Sequence, residues 1–186
     1  MNYIRSTYKK LKSVLYKSIF LFLFPVILLF AQDKSGHKHH TTNDSTLMHR
    51  QNMIHSRSPM VMPFDMNKVT HYFIKTDNGG VLEINSKDLN DQTQISLIRE
   101  HLKKEKILFS NADFRDPKTL HGKNMPGLKI LSESGKKYEV EYKELPAGAS
   151  LTFGSKDSSV VDAIHKWFDA QLKDHGKDAK SHEDKR

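Results

Sequence analysis

Residues 69–85, Val69-Thr70-His71-Tyr72-Phe73-Ile74-Lys75-Thr76-Asp77-Asn78-Gly79-Gly80-Val81-Leu82-Glu83-Ile84-Asn85, decide the fold. Val69 to Ile74 and Val81 to Asn85 are rich in β-branched and aromatic side chains, which suit a pleated, half-buried surface. Asp77 to Gly80 between them are turn formers, so the stretch reads as a β-hairpin. Alternation along the first strand places Val69, His71 and Phe73 on one face.

Downstream, Asp91 to Phe109 reads as a helix. Asn90 or Asp91 serves as its cap, and Ile95, Ile98, Leu102 and Phe109 form an apolar stripe. Pro117, Gly122, Pro126 and Gly127 then mark a loop, and Leu128 to Leu131 fits either a short strand or a helical turn. Lys137 to Tyr142 and Ser150 to Phe153 read as a second strand pair. Ser158 to Leu172 reads as a second helix, with Val161, Ile164, Phe168 and Leu172 as its buried stripe. The order ββαββα implies an α+β fold: an antiparallel sheet of about four strands with two helices packed on one face.

Upstream, the chain begins with five basic and no acidic residues in 18, followed by Ile19 to Ala31, IFLFLFPVILLFA. A charged segment before a short apolar one is the pattern of a secretory signal, expected here over residues 1–31. Thirteen apolar residues fall short of the ~20 needed to cross a bilayer, so no stable membrane insertion is expected after cleavage. The protein is expected to be periplasmic or secreted. Residues 32–62 lack the apolar content to fold and are expected to be a disordered arm rich in His and Met. The α+β domain should cover residues 63–176, with a disordered tail over 177–186.

The formal charge of +8 overstates the basicity of the folded part. With the basic residues of 1–31 removed, 25 basic side chains stand against 22 acidic ones. No remaining stretch interleaves basic and aromatic residues, so no nucleic-acid partner is expected. The absence of cysteine excludes disulfides, thiolate ligands and a cysteine nucleophile.

Imidazole and thioether dominate the remaining chemistry. Imidazole binds Cu(II) and Zn(II), and thioether favours Cu(I). The arm carries His37, His39, His40, His49 and His55 with four methionines. In the domain, His71, His121, Met125 and His165 are the candidate ligands. His121 and Met125 share the loop His121-Gly122-Lys123-Asn124-Met125-Pro126-Gly127, and His71 or His165 could face it. The expectation is an exported metal-binding or metal-handling protein, with copper favoured over zinc. The alternative is an exported interaction domain without metal, its protein partner unidentified. His101, one turn before Glu105, and His175, near a helix end, fit ordinary surface roles. No Gly-x-Ser-x-Gly, His-Glu-x-x-His or phosphate-binding glycine loop is present, so no reaction is named.

Met62-Pro63-Phe64-Asp65, Thr70-His71-Tyr72-Phe73, the Asp77-to-Gly80 turn, Gln94 to His101 (QISLIREH), the His121-to-Gly127 loop and Trp167 to Gly176 (WFDAQLKDHG) occur in that order. Together they resemble a family of small bacterial proteins, some of which carry the label aspartate carbamoyltransferase. The resemblance covers roughly residues 62–176. The chain lacks the Ser-Thr-Arg-Thr loop with which carbamoyltransferases hold carbamoyl phosphate.

Overall fold

A computed structural model of the chain describes residues 40–181, with side chains from residue 44 onward. The expected hairpin forms as β1 (Val69–Thr76) and β2 (Gly79–Ser86), antiparallel, with Thr76 opposite Gly79. Gly79 and Gly80 lie inside β2 rather than at the tip. A Cβ at Gly79 would stand 1.9 Å from the Phe153 carbonyl oxygen, and one at Gly80 would stand 2.5 Å from the Phe168 ring. These glycines let the next strand and a helix approach the hairpin closely.

The second hairpin is β3 (Tyr138–Leu145) with β4 (Gly148–Ser155), and β4 docks antiparallel on β2. A fifth strand, β5 (Ala179–Lys180), runs parallel to β1 with Ala179 opposite His71. The sheet order is β3-β4-β2-β1-β5. The expectation of about four antiparallel strands is therefore corrected to five strands in a mixed sheet. A two-residue strand has no sequence period to detect; it pairs because the chain leaves the last helix beside the β1 edge. The start of the segment expected as a disordered tail thus belongs to the sheet.

The described residues contain five α-helices: α1 (His40–Arg57), α2 (Gln92–Ser110), α3 (Arg115–His121), α4 (Leu128–Glu133) and α5 (Ser158–His175). Helices α2 and α5 match the two expected. Asp91 caps α2 by accepting from the Gln94 amide at 3.1 Å, and Asp157 caps α5 by accepting from the Ser159 amide at 3.0 Å. Helices α3 and α4 replace the expected loop and settle Leu128 to Leu131 as helical, so the order is not ββαββα. Gly127, at φ +77°, opens α4, and a Cβ there would stand 2.0 Å from the Ala163 carbonyl oxygen of α5.

Helix α1 corrects the expected disorder over most of residues 32–62. Alone it is a poor amphipathic helix. Its order comes from distant partners: Ile54 is buried, Arg50 pairs with Asp174, and the Gln51 amide donates to the Lys173 carbonyl. Tertiary contacts of this kind stabilise helices that propensity alone does not. Residues 32–39 and the expected signal at 1–31 lie outside the described residues.

The core lies between the sheet and α2 and α5. Phe73, Leu82 and Leu151 form one cross-strand row, and His71, Ile84 and Ala149 form the next. Ile98, Leu102 and Phe109 of α2 and Ile164, Trp167 and Phe168 of α5 close over these rows. Phe109, Phe114 and Phe153 each meet the Trp167 ring at centroid distances of 5.4–5.6 Å.

Candidate functional site

The core opens beside His71 into a small cavity. Its walls come from β1 and β2, α2, α3, α5 and the segment after α1. Each element contributes through its own period. On α2, His101 and Glu105 extend the stripe of Ile98 and Leu102. On α5, Gln171 and His175 continue the line of Ile164 and Trp167. Helix α3 supplies Asp116 near its start and His121 at its end. Val61 and Met62 complete the wall.

Three imidazoles converge there. His71 and His175 stack at 4.7 Å between centroids, and His121 meets His175 edge-on at 5.1 Å. Phe64 bridges to the fourth, with centroids 6.1 Å from His71 and 5.4 Å from His101. His71, His101, His121 and His175 are all buried.

Burial dictates their charge. It lowers the His71 pKa to about 3, helped by His101, and the His101 pKa to about 4, helped by Lys104. It holds His175 well below the ordinary histidine value, with His71 and His121 adding to the effect. A protonated imidazole would lose its hydration here without gaining a counter-charge. Neither the surface role expected of His101 nor the helix-end role expected of His175 survives: both are buried and neutral near pH 7.

Two carboxyl systems flank the histidines, in opposite states. Asp174 is buried, which opposes ionisation, but hydrogen bonds from His121 and Arg50 outweigh burial and hold its pKa below the ordinary value. The Arg50 guanidinium grips both Asp174 oxygens, Nε to Oδ1 at 2.5 Å and Nη2 to Oδ2 at 2.6 Å. Arg50 Nη2 also donates to the His121 carbonyl at 3.2 Å. His121 Nδ1 lies 2.9 Å from Asp174 Oδ2. An ionised carboxylate only accepts, so Nδ1 carries the hydrogen and donates it to Asp174.

Glu105 is the opposite case. Burial, then its hydrogen bond to Asp116, raises its pKa to about 8. Burial also opposes ionisation of Asp116, but hydrogen bonds from Lys104 and Glu105 overcome it. Lys104 Nζ lies 2.7 Å from Asp116 Oδ2. The pair therefore holds one proton near pH 7, with Glu105 as the acid.

The cavity has room for a guest, at about 50 Å³. A single water needs only ~10–15 Å³ on the same kind of measure. It is also where polar groups lack partners. Among the described residues, eight buried side-chain polar atoms make no hydrogen bond within the protein. Six of the eight belong to cavity-lining residues: both His71 nitrogens, His175 Nδ1, Trp167 Nε1, Gln171 Oε1 and Glu105 Oε1. Native proteins satisfy most such atoms, so this clustering sets the surroundings of the cavity apart from the rest of the core.

The candidate ligands fare unequally. His71 and His121 meet at the cavity. His165 does not: its Nε2 lies 2.9 Å from both the Thr76 and the Gly79 carbonyl oxygens, which it ties to α5 as a donor. Met125 is a core residue, 5% exposed. His49 is exposed on α1, and His55 lines a groove under α1 with Met48, Met66 and His175. The side chain of His40, together with His37 and His39, lies outside the described residues. Among the described residues, no three His, Asp or Glu side chains are grouped so as to hold a metal ion. The sequence gives no sign of Gln171 or Arg50 as site residues and offers Glu105 only as the partner of a surface histidine. The signal for Glu105 was its place on the apolar stripe of α2; Arg50 had none. No family model matches this chain, and no curated protein or solved structure is detectably similar to it, so its reading rests on its own residues.

Proposed function

We propose that this protein binds a small, uncharged, hydrogen-bonding molecule in the histidine-lined cavity. The observation that carries this reading is the concentration of unpartnered polar atoms around one buried space. Each such group costs roughly 1–3 kcal/mol if left unmet, and whole domains are stable by only ~5–15 kcal/mol. A guest that accepts from the Trp167 N–H and donates to Gln171 Oε1 removes part of that cost.

The electrostatics select the guest's charge. Arg50 balances Asp174, Lys104 balances Asp116, and His71, His101, His175 and Glu105 are neutral. A charged guest would be desolvated with no free counter-charge to receive it. The apolar walls from Phe73, Leu82, Ile84 and Leu120 favour a molecule with some hydrocarbon surface.

Trp167 is the sole tryptophan and lines the cavity, so its fluorescence reports on occupancy. Hydroxyacetone, acetamide and imidazole at pH 7.5 should shift Trp167 emission saturably and raise the melting temperature, whereas acetate should do neither. A response to Cu(II) or Zn(II) alone would overturn this reading in favour of metal handling. No response to any probe would leave ordered water as the guest and refute it.

A further inference from the structure

We propose that α1 and the segment behind it form a hinged strap over the histidine-lined cavity, latched by Arg50 on Asp174, and that guests enter when the strap swings out. This deepens the binding reading and rests on it for the guest. His71 and Trp167 line the cavity yet are 2% and 0% exposed, so a guest reaches them only if a wall moves. The wall beside α2 is one side chain thick. Val61, Met62 and His101 line the cavity on one side and an outer groove on the other. His175 likewise separates the cavity from the groove under α1.

The strap moves as one body. The Val61 and Met62 amides donate to the Ser58 carbonyl at 3.1 and 2.8 Å, and Ser58 Oγ donates to the His55 carbonyl at 2.8 Å. Both wall residues therefore travel with α1. The chain is anchored again at once: Phe64 is buried, and the Asp65 amide donates to Gln94 Oε1 at 2.9 Å. Exposed Pro63 lies between the two, which places the hinge there. The hold on the strap is weak. Leu47, Arg50, Gln51 and Ile54 are spaced for one side of a helix, and among the described side chains of α1 only Ile54 is buried. The rest of the hold is polar: the Arg50 grip on Asp174 and the Gln51 amide on the Lys173 carbonyl. By contrast, Ile98 and Leu102 of α2 and Ile164 and Trp167 of α5 are each 0% exposed. Segments with few buried apolar contacts open at lower free energy than the core, so the strap releases while the sheet, α2 and α5 stay folded.

Amide hydrogen exchange and diethyl pyrocarbonate labelling of the full-length protein, both read by mass spectrometry, test this. The reagent acylates accessible neutral imidazoles, so exposed His49 sets the reference rate and buried His71 reports opening of the wall. In the wild-type protein α1 should exchange through openings that leave α2 and α5 protected. Arg50→Met removes the latch but leaves Asp174 its bond to His121. It should raise α1 exchange and His71 labelling together, each roughly 10–100-fold, with α2 and the sheet unchanged. Arg50→Lys keeps the charge without the two-pronged grip and should fall between; with wild-type exchange it decides the matter if Arg50→Met fails to fold. Exchange of α1 only together with the sheet, in every protein tested, would overturn the strap. Faster α1 exchange with unchanged His71 labelling would overturn the gate. Stopped-flow mixing with hydroxyacetone separates this proposal from the binding reading. The Trp167 response should develop faster in Arg50→Met by the same factor, and a response at the wild-type rate would overturn the strap as the entry route. Coupled α1 exchange and His71 labelling with no Trp167 response would refute the binding reading for this compound and uphold the strap.

Discussion

The two halves of α5 have the same period and different work. From Val160 to Phe168 its buried side chains are Val160, Ala163, Ile164, Trp167 and Phe168. From Gln171 to the end they are Gln171, Asp174 and His175. The first half packs into an aromatic cluster, and of its buried residues only Trp167 also lines the cavity. The second meets imidazoles, a guanidinium and a cavity. One helix face thus runs from stabilising core to a place where the chain forgoes stability, a common relation between function and stability.

The largest effect should come from the first half. Trp167→Ala removes a fully buried ring from a close-packed cluster and should cost roughly 3–5 kcal/mol in urea denaturation. A loss below about 1 kcal/mol would mean that the cluster collapses around the gap, and the contrast between the halves would fail.

The intermediate effect is a pH profile set by the second half and its surroundings. His71 and His101 titrate near 3 and 4 in the fold, against 6.5 when unfolded. The unfolded chain therefore binds more protons below pH 6.5, and stability falls as the pH drops from there towards 3. Asp174, its pKa also lowered, adds to this acid loss. Glu105 runs the other way. Its folded value of about 8 lies above the ordinary 4.5, so its contribution is complete below pH 4.5 and is lost as the pH rises through 8. Urea midpoints measured from pH 4 to 9 should pass through a maximum, and Glu105→Gln should remove the alkaline fall. If the fall persists in that variant, Glu105 is not the buried acid.

The smallest effect sharpens the comparison most because its sign is reversed. Gln171→Met keeps the volume and removes an unpartnered amide. It should stabilise the guest-free protein by about 1 kcal/mol and weaken the Trp167 response to hydroxyacetone. A destabilised variant would show that Gln171 belongs to the core and not to the site.

Legibility in the sequence followed the reach of the interactions. The hairpins, α2 and α5 were readable because period and turn chemistry are local. His71 was placed on the correct face of its strand, and His121 was picked out from its loop. His165 and Met125 were chosen on equal grounds, yet one ties the first hairpin to α5 and the other fills the core. His101 and Glu105 were read as a surface pair, although both extend the apolar stripe of α2. Helix α1 was read as disordered because its own residues carry little apolar pattern; Arg50 and Ile54 find their partners far along the chain.

By itself, the sequence determined the α+β class, both hairpins, the two long helices and an unusual supply of imidazole. Periodicity and turn preference act within a few residues, so a linear reading captures them. Tertiary structure alone decided which histidines meet, that α1 covers them, that β5 closes the sheet, and that Asp174 is ionised while Glu105 is not. Those outcomes depend on burial and on partners more than 50 residues apart, such as His121 and Asp174. Desolvation and hydrogen bonding at such distances are set only when the whole chain has closed.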